Sequence, residues 1–75
     1  MPDFASRIRE CRKCKGFTQK QMAAELDISE ILWRNYEAGN RRPTFEGLLR
    51  LARYFGVSLD YLVGWTDDPE PAMQK

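Results

Sequence analysis

Residues 18–37 contain two short helical patterns separated by a break of only two or three residues. Thr18 is a good N-cap for the first helix, and Gln21, three residues later, completes a capping box. Asp27 interrupts the apolar pattern, and Asp tolerates the left-handed backbone conformation that a sharp turn requires. Ser29 then caps a second helix. The stretch therefore predicts two helices that cross at a tight turn.

The second of these helices has two distinct faces. At about 100° per residue, Tyr36 and Glu37 lie on the same side as Trp33, and this side is predicted to be buried, with Trp33 at its centre. Ile31 and Asn35 lie on the opposite side. The spacing of small, turn and core residues in residues 19–36 is typical of a helix-turn-helix.

Three further helices are predicted around this unit. Helix 1 runs from about Asp3 to Lys15, helix 4 from Thr44 to Phe55, and helix 5 from Ser58 to Val63. The side chains of helix 1 expected to point to solvent are Arg7, Arg9 and Lys13. The apolar face of helix 4 is expected to comprise Phe45, Leu48, Leu49, Leu51, Ala52 and Phe55. The predicted fold class is all-α, with five helices and no strand.

A single domain is predicted over residues 1–65, followed by a tail over residues 66–75. Hydrophobic residues make up 43% of the chain, enough for a globular core and too many for a disordered protein. The tail holds two prolines and three acidic residues and is predicted to be disordered. No apolar run approaches the ~20 residues of a membrane span, and the N-terminus lacks the apolar core of a signal peptide.

The chain has two cysteines, Cys11 and Cys14, and no histidine. A zinc site needs about four ligands, and a thioredoxin-like redox pair needs a βαβ setting, so both explanations are disfavoured. The favoured interpretation places Cys11 in a small core position and Cys14 near the surface, and a thiolate metal site shared across a dimer is the remaining alternative. No cofactor or bound metal is predicted, and two cysteines without a disulfide framework favour a reducing cytoplasm.

Three motifs give the sequence a family resemblance. They are Arg-x-x-x-Gly-Phe-Thr-Gln at 12–19, Tyr-Glu-Ala-Gly-Asn-Arg-Arg-Pro at 36–43, and Leu-Ala-Arg-Tyr-Phe-Gly-Val-Ser-Leu-Asp-Tyr-Leu at 51–62. Together they resemble the phage Cro/repressor-type helix-turn-helix family, also called the xenobiotic-response-element family. The resemblance implies a five-helix, lambda-repressor-like DNA-binding domain with its helix-turn-helix formed by helices 2 and 3. Asp27 stands where the family usually has a turn glycine.

Arg12 and Glu37 occupy the inner edges of helices 1 and 3. A charged residue on a buried stripe usually needs a partner, and the resemblance implies an ion pair between these two positions. Two independent solvated charges are the alternative.

The resemblance also implies that helix 3 lies in the major groove of double-stranded DNA. The residues predicted to read bases are Glu30, Ile31, Arg34 and Asn35. The residues predicted to contact phosphates are Thr18, Gln19, Lys20, Ser29, Arg41 and Arg42. The charge distribution agrees with DNA contacts in the first half of the chain. Residues 1–42 carry nine basic and six acidic side chains, whereas residues 43–75 carry three basic and five acidic ones.

A homodimer is predicted, because one copy of helix 3 reads too few base pairs for useful selectivity. The residues predicted to form the dimer contact are Leu62, Val63 and Trp65, and folding of Trp65 onto its own core is the alternative. With no catalytic constellation in the sequence, the predicted function is a small, non-enzymatic transcriptional regulator, most simply a repressor. It would be bacterial or phage-encoded and cytoplasmic, with no small-molecule substrate and no membrane partner. The alternative is an antitoxin-like module that binds a protein through helix 3, where Ile31 and Leu32 are apolar, or through its C-terminal face.

Overall fold

A computed structural model of the chain describes residues 3–70. It contains five helices, α1 Phe4–Cys14, α2 Gln19–Leu26, α3 Glu30–Ala38, α4 Phe45–Phe55 and α5 Leu59–Leu62. No strand occurs within these residues. The predicted fold class is therefore confirmed, with α2 and α3 forming the helix-turn-helix. No helix in the described part of the chain is both long and apolar enough to cross a membrane.

Every helix begins at a side-chain cap. The oxygen of the N-cap side chain accepts a hydrogen bond from the backbone N–H three residues later, which satisfies one of the donors that a helix start leaves unpaired. The five caps are Asp3, Thr18, Ser29, Thr44 and Ser58. Thr18 and Gln21 form the full reciprocal capping box predicted for α2. Local side-chain chemistry thus sets where each helix starts.

The turn between α2 and α3 depends on one left-handed residue. Asp27 has φ 59° and ψ 45°, and it is the one non-glycine residue with a positive φ in the part of the chain that the structure describes. Its backbone N–H donates to the carbonyls that end α2. The guanidinium of Arg50, on α4, donates to the Leu26 carbonyl and so satisfies the same helix end from outside the motif.

The core contains buried side chains from all five helices. The indole of Trp33 is 0% exposed, as predicted, and it packs with Ile8, Met22 and Leu62, which are also fully buried. α3 packs against α1 and α2, and α5 packs against α1 and α4. This packing fixes the inner side of α3 and leaves its outer side to solvent.

Two side chains lie elsewhere than predicted. Phe45, expected on the buried face of α4, is 65% exposed, because it is the first residue of that helix and lies beyond the reach of the core. Arg7, expected in solvent, is 3% exposed. Its Nη2 donates to Asp67 at 2.6 Å, and its guanidinium lies 3.9 Å from the ring centroid of Tyr61. The segment after α5 and the ring of Tyr61 therefore cover Arg7.

Residues 66–70 of the predicted tail contact the domain. Besides the Arg7–Asp67 pair, the Pro69 carbonyl accepts a hydrogen bond from the Ser58 N–H at 2.9 Å. Residues 71–75 lie outside the described residues. The domain boundary at residue 65 and the disorder of the tail stay predictions.

Candidate nucleic-acid interface

The two sides of α3 differ sharply in exposure. Trp33 and Glu37 are buried, whereas Ile31 is 72% exposed. Arg34 is also exposed, and Asn35 is half-buried. Three of the predicted base readers, Ile31, Arg34 and Asn35, thus lie away from the two residues that anchor the helix. The outer side of α3 is a free helical surface of the kind that can enter a major groove, which is wide enough for an α-helix.

The inner side of α3 is held by the carboxylate of Glu37. Arg12 donates from Nε to Oε2 at 2.6 Å and from Nη2 to Oε1 at 3.2 Å, so the two residues form a forked ion pair. Gln19 donates to Oε1 at 3.1 Å and the Trp33 indole N–H to Oε2 at 2.5 Å. Glu37 therefore links α1, α2 and α3 through a single side chain.

The protonation state of Glu37 follows from this environment. Burial by itself raises the pKa of the carboxyl, because it disfavours the charged form. The hydrogen bonds from Arg12, Gln19 and Trp33 outweigh burial and hold the pKa below its usual value. The group is thus a carboxylate at neutral pH and keeps all its donors.

Most of this network is not evident from the sequence. The sequence and its family resemblance predict the Arg12–Glu37 pair but not the contributions of Gln19, Trp33 and Arg9. Nη2 of Arg9 donates to the Glu37 carbonyl at 3.0 Å. The sequence does contain a signal for the Trp33–Glu37 contact, because the two residues are four positions apart and side chains at that spacing meet on a helix. The contributions of Gln19 and Arg9 depend on how the helices pack, and no local pattern reports that.

The predicted phosphate-contacting residues fall into two groups. Three of them already have structural partners, since Thr18 and Ser29 cap helices and Gln19 donates to Glu37. The other three, Lys20, Arg41 and Arg42, are exposed cations. None of them takes part in an ion pair among residues 3–70. Their charges are therefore available to a polyanion.

The loop that carries Arg41 and Arg42 is fixed to the end of α3. Gly39 adopts the left-handed conformation at the C-cap, with φ 81°. The Asn35 carbonyl then accepts from the N–H groups of Asn40 at 3.0 Å and Arg41 at 3.3 Å. The two arginines are thus anchored directly beside the predicted recognition helix, through the backbone of one of its predicted base readers.

Glu30 and Arg34 are joined on the surface of α3. Nη2 of Arg34 lies 3.1 Å from Oε2 of Glu30, one helical turn earlier, and both side chains keep access to solvent. The structure therefore brings two predicted base readers together as an ion pair.

The predicted dimer residues do not share a surface. Leu62 is fully buried in the core of its own domain, so its assignment to an intermolecular contact was wrong. The apolar face of α5 packs onto α1 and α4, and Leu62 is the residue at its centre. Val63 is 36% exposed and Trp65 is 80% exposed, so the Trp65 indole does not fold back onto the core.

The two cysteines lie on α1. Cys11 is half-buried against the core and Cys14 is exposed. Burial raises the pKa of the Cys11 thiol to about 11, which disfavours the thiolate that metal binding or nucleophilic chemistry requires. In the described ranges no cluster of three or more potential metal ligands occurs.

Comparison with known proteins also identifies a helix-turn-helix domain in this chain. A family model described as a helix-turn-helix domain matches residues 5–64. The chain is 36% identical over 72 residues to the uncharacterized HTH-type transcriptional regulator YobD of Bacillus subtilis, an alignment that covers 96% of this chain and 64% of that protein. The HTH-type transcriptional regulator ImmR of Bacillus subtilis is 41% identical over 61 residues, which is 81% of this chain and 48% of ImmR.

A phage protein is similar to the same degree. The cryptic phage CTXphi transcriptional repressor RstR of Vibrio cholerae is 40% identical over 63 residues, with 83% of this chain and 56% of RstR covered. The chain therefore spans about half to two thirds of the length of these curated relatives. The match to the family model includes all five helices except Phe4, the first residue of α1. The chain belongs to the helix-turn-helix domain family, of the xenobiotic-response-element type that includes phage repressors.

Proposed function

We propose that this protein binds double-stranded DNA in a sequence-specific manner and regulates transcription as a small repressor, without an enzymatic step. The observation that carries the proposal is the geometry of α3, whose inner side is fixed by Trp33 and Glu37 while its outer side is free. The similarity to HTH-type regulators and to a phage repressor supports it. Because those relatives are bacterial or encoded by a bacterial phage, the bacterial cytoplasm is the proposed location.

The residues divide into those that read bases and those that position the protein. We assign base contacts to the outer side of α3, where an amide such as that of Asn35 can pair with adenine and an apolar group such as Ile31 can contact a thymine methyl. The phosphate contacts belong to Lys20, Arg41 and Arg42, whose charges are free of protein partners among residues 3–70. The hydroxyls of Thr18 and Ser29 and the Gln19 amide lie at helix N-termini, which favour phosphate.

One measurement separates reading from positioning. The affinities of Asn35→Ala and Arg42→Ala are compared on the preferred site and on random duplex, at two salt concentrations. Asn35→Ala should lose roughly 1–3 kcal/mol on the preferred site and much less on random duplex. Arg42→Ala should weaken binding to all duplexes alike and lower the salt slope by about one unit.

Two other outcomes would contradict this division between base-reading and phosphate-contacting residues. If both variants lose affinity equally on every duplex, α3 does not read bases. If neither loses any, the exposed Ile31 side chain is better explained as part of a protein-binding surface, as in an antitoxin-like module.

We further propose that the protein acts as a homodimer on DNA. Two copies related by a two-fold axis would place two α3 helices about 34 Å apart, one turn of DNA, on matched half-sites. The exposed Val63 and Trp65 side chains are the proposed contact, since a solvent-exposed Trp beside an aliphatic residue is a typical interface anchor.

Sedimentation of Trp65→Ala, alone and with DNA, tests this contact. The variant should associate more weakly than the wild type. Ile31→Ala, measured without DNA, is the matched control, because Ile31 is likewise an exposed apolar residue but lies on α3. Unchanged association of Trp65→Ala, or an equal loss in both variants, would remove this surface as the dimer contact.

A further inference from the structure

An acidic residue at the start of a DNA-reading helix needs an explanation. Glu30 is the first residue of α3, and the N-terminal part of such a helix is the part that meets base edges. A bare carboxylate there would be repelled by the phosphates on both sides of the groove. In this protein, however, the carboxylate is paired with Arg34, Nη2 to Oε2, at 3.1 Å.

We propose that Glu30, with its charge compensated by Arg34, is a specificity-determining residue that selects a base with an amino group at its major-groove edge, cytosine or adenine. The inference rests on the proposed DNA-binding function and refines it. Glu30 contacts the base, and Arg34 is a positioning residue that acts through Glu30.

The selectivity follows from the chemistry of the carboxylate. An ionised carboxylate only accepts hydrogen bonds. In the major groove, cytosine N4 and adenine N6 donate, whereas guanine O6 and thymine O4 accept. With Oε2 paired to Arg34, Oε1 is the oxygen left to accept a hydrogen bond from a base. A donor at that point forms a charge-assisted hydrogen bond, and an acceptor is repelled.

The ion pair explains how the carboxylate can enter the groove. A pair with no net charge neither adds to nor opposes the general attraction of the protein to phosphate. The side chain of Arg34 is 61% exposed and that of Glu30 is 37% exposed, so both members of the pair are open to solvent. Pairing also restricts the rotamers of Glu30, which reduces the entropy lost when it contacts a base.

A purely structural role makes a different prediction. Pairs of this spacing with Glu nearer the N-terminus stabilise helices by a few tenths of a kcal/mol, and Glu30 also complements the helix dipole. Such a role would change stability and leave base preference untouched. The base-preference profile is therefore the decisive readout.

The experiment selects bound duplexes from a random pool with the full chain. The proteins are the wild type, Glu30→Gln, Arg34→Ala, the double variant, and Glu46→Gln as control. Glu46 lies in the first turn of α4 and has no ion-pair partner among the described residues. Glu46→Gln therefore removes a negative charge from the first turn of a helix, as Glu30→Gln does, but on a different helix.

The wild-type motif should contain a position in each half-site restricted to cytosine or adenine. Glu30→Gln should relax that position alone, because an amide can both donate and accept. Arg34→Ala should keep the preference but weaken binding to all duplexes by about tenfold at low salt, as the exposed carboxylate is no longer compensated. The double variant should bind at least about threefold more tightly than Arg34→Ala, since it removes that carboxylate charge.

The failures of the two proposals can be told apart. If the wild type enriches a motif and Glu30→Gln enriches the same one, the inference about Glu30 is wrong while the proposed function stands. A change of profile in Glu46→Gln equal to that in Glu30→Gln would also overturn it. If the wild type enriches no motif at all, the proposed function is wrong and the inference falls with it.

Discussion

At the scale of single residues, Glu37 determines how α3 is held. Its carboxylate receives hydrogen bonds from Arg12, Gln19 and Trp33, which come from α1, α2 and α3. A buried ion pair contributes little net stability relative to a well-packed apolar replacement, because desolvation offsets the attraction. Removing one partner is costly, however, because the other charge is left uncompensated. The main effect of Glu37 is thus on the orientation of α3.

We predict strong coupling between Arg12 and Glu37. Arg12→Met should cost about 2–3 kcal/mol of unfolding free energy, because it leaves a buried carboxylate without its cation. Arg12→Met/Glu37→Gln should cost at least 1 kcal/mol less than the sum of the single variants. Urea unfolding of the four proteins measures this. Arg9→Met is the control, and it should cost less than about 1 kcal/mol since Arg9 is more exposed. Additive costs would rule out the coupling.

The lowered pKa of Glu37 predicts a specific response to acid. A carboxyl whose pKa is lower in the folded state contributes stability above its unfolded pKa, and that contribution disappears as the pH falls through the folded pKa. The stability difference between wild type and Glu37→Gln should therefore be constant near neutral pH and shrink below about pH 4. Unfolding free energies measured from pH 7 to pH 2 test this. A difference that grows in acid would mean that the pKa is raised instead.

At the scale of elements, the helix ends are the most locally determined parts of the fold. Ser, Thr and Asp caps begin the helices, and left-handed residues end α2, α3 and α4. Asp27 is the exception among these ends, because it adopts its φ of 59° without being a glycine. A side chain in this conformation is strained, although Asp tolerates it better than most residues.

We therefore expect Asp27→Gly to stabilise the protein by about 0.5 kcal/mol. Relief of the strain should exceed the entropy that glycine adds to the unfolded chain. Gly56→Ala provides the opposite case, because φ is 69° and an added Cβ would meet nothing within 4 Å. It should cost about 1 kcal/mol from backbone strain alone. Urea unfolding of both variants tests the pair, and a destabilised Asp27→Gly would show that the Asp27 carboxylate contributes to the turn.

At the scale of the whole molecule, the segment after α5 closes over α1. Arg7 is buried between Asp67 and the ring of Tyr61. Its Nε has no hydrogen-bond partner among the described residues, so Asp67 supplies most of the compensation for the charge. The Ser58–Pro69 hydrogen bond holds the same segment against the start of α5. Two contacts thus hold this segment against the helices, one from Asp67 to α1 and one from Pro69 to the start of α5.

Asp67→Asn should accordingly lower the free energy of unfolding by about 1 kcal/mol, a modest value because the Asp67 side chain is exposed. Asp68→Asn is the control, since among residues 3–70 the Asp68 carboxylate accepts only from the nearby Glu70 N–H. It should change stability by less than about 0.5 kcal/mol. Thermal unfolding at low and high salt measures both, and the Asp67 effect should weaken with salt. Equal effects of the two variants would show that the Arg7–Asp67 pair does not hold the segment.

Much of the fold could be predicted from the sequence because its signals are local. A cap, a glycine or a run of apolar residues at helical spacing acts within one or two turns, so the five helices and the burial of Trp33 follow from short stretches of chain. The outer side of α3 follows from the same periodicity, since burial of one side leaves the other free. The pairing of Arg12 with Glu37 needed one step more, the family resemblance, added to the rule that a charge on a buried face usually needs a partner.

Tertiary structure decided which distant side chains meet. Periodicity shows the face on which Arg7, Phe45 and Leu62 lie, but not what covers that face. Arg7 is buried because the Tyr61 ring and the segment that carries Asp67 both cover it. Phe45 is exposed because the core ends before the first residue of α4. Leu62 faces inward because α5 packs on α1 and α4. These outcomes depend on the angles and distances between helices. The packing of the whole chain sets them, and no single stretch of sequence contains them.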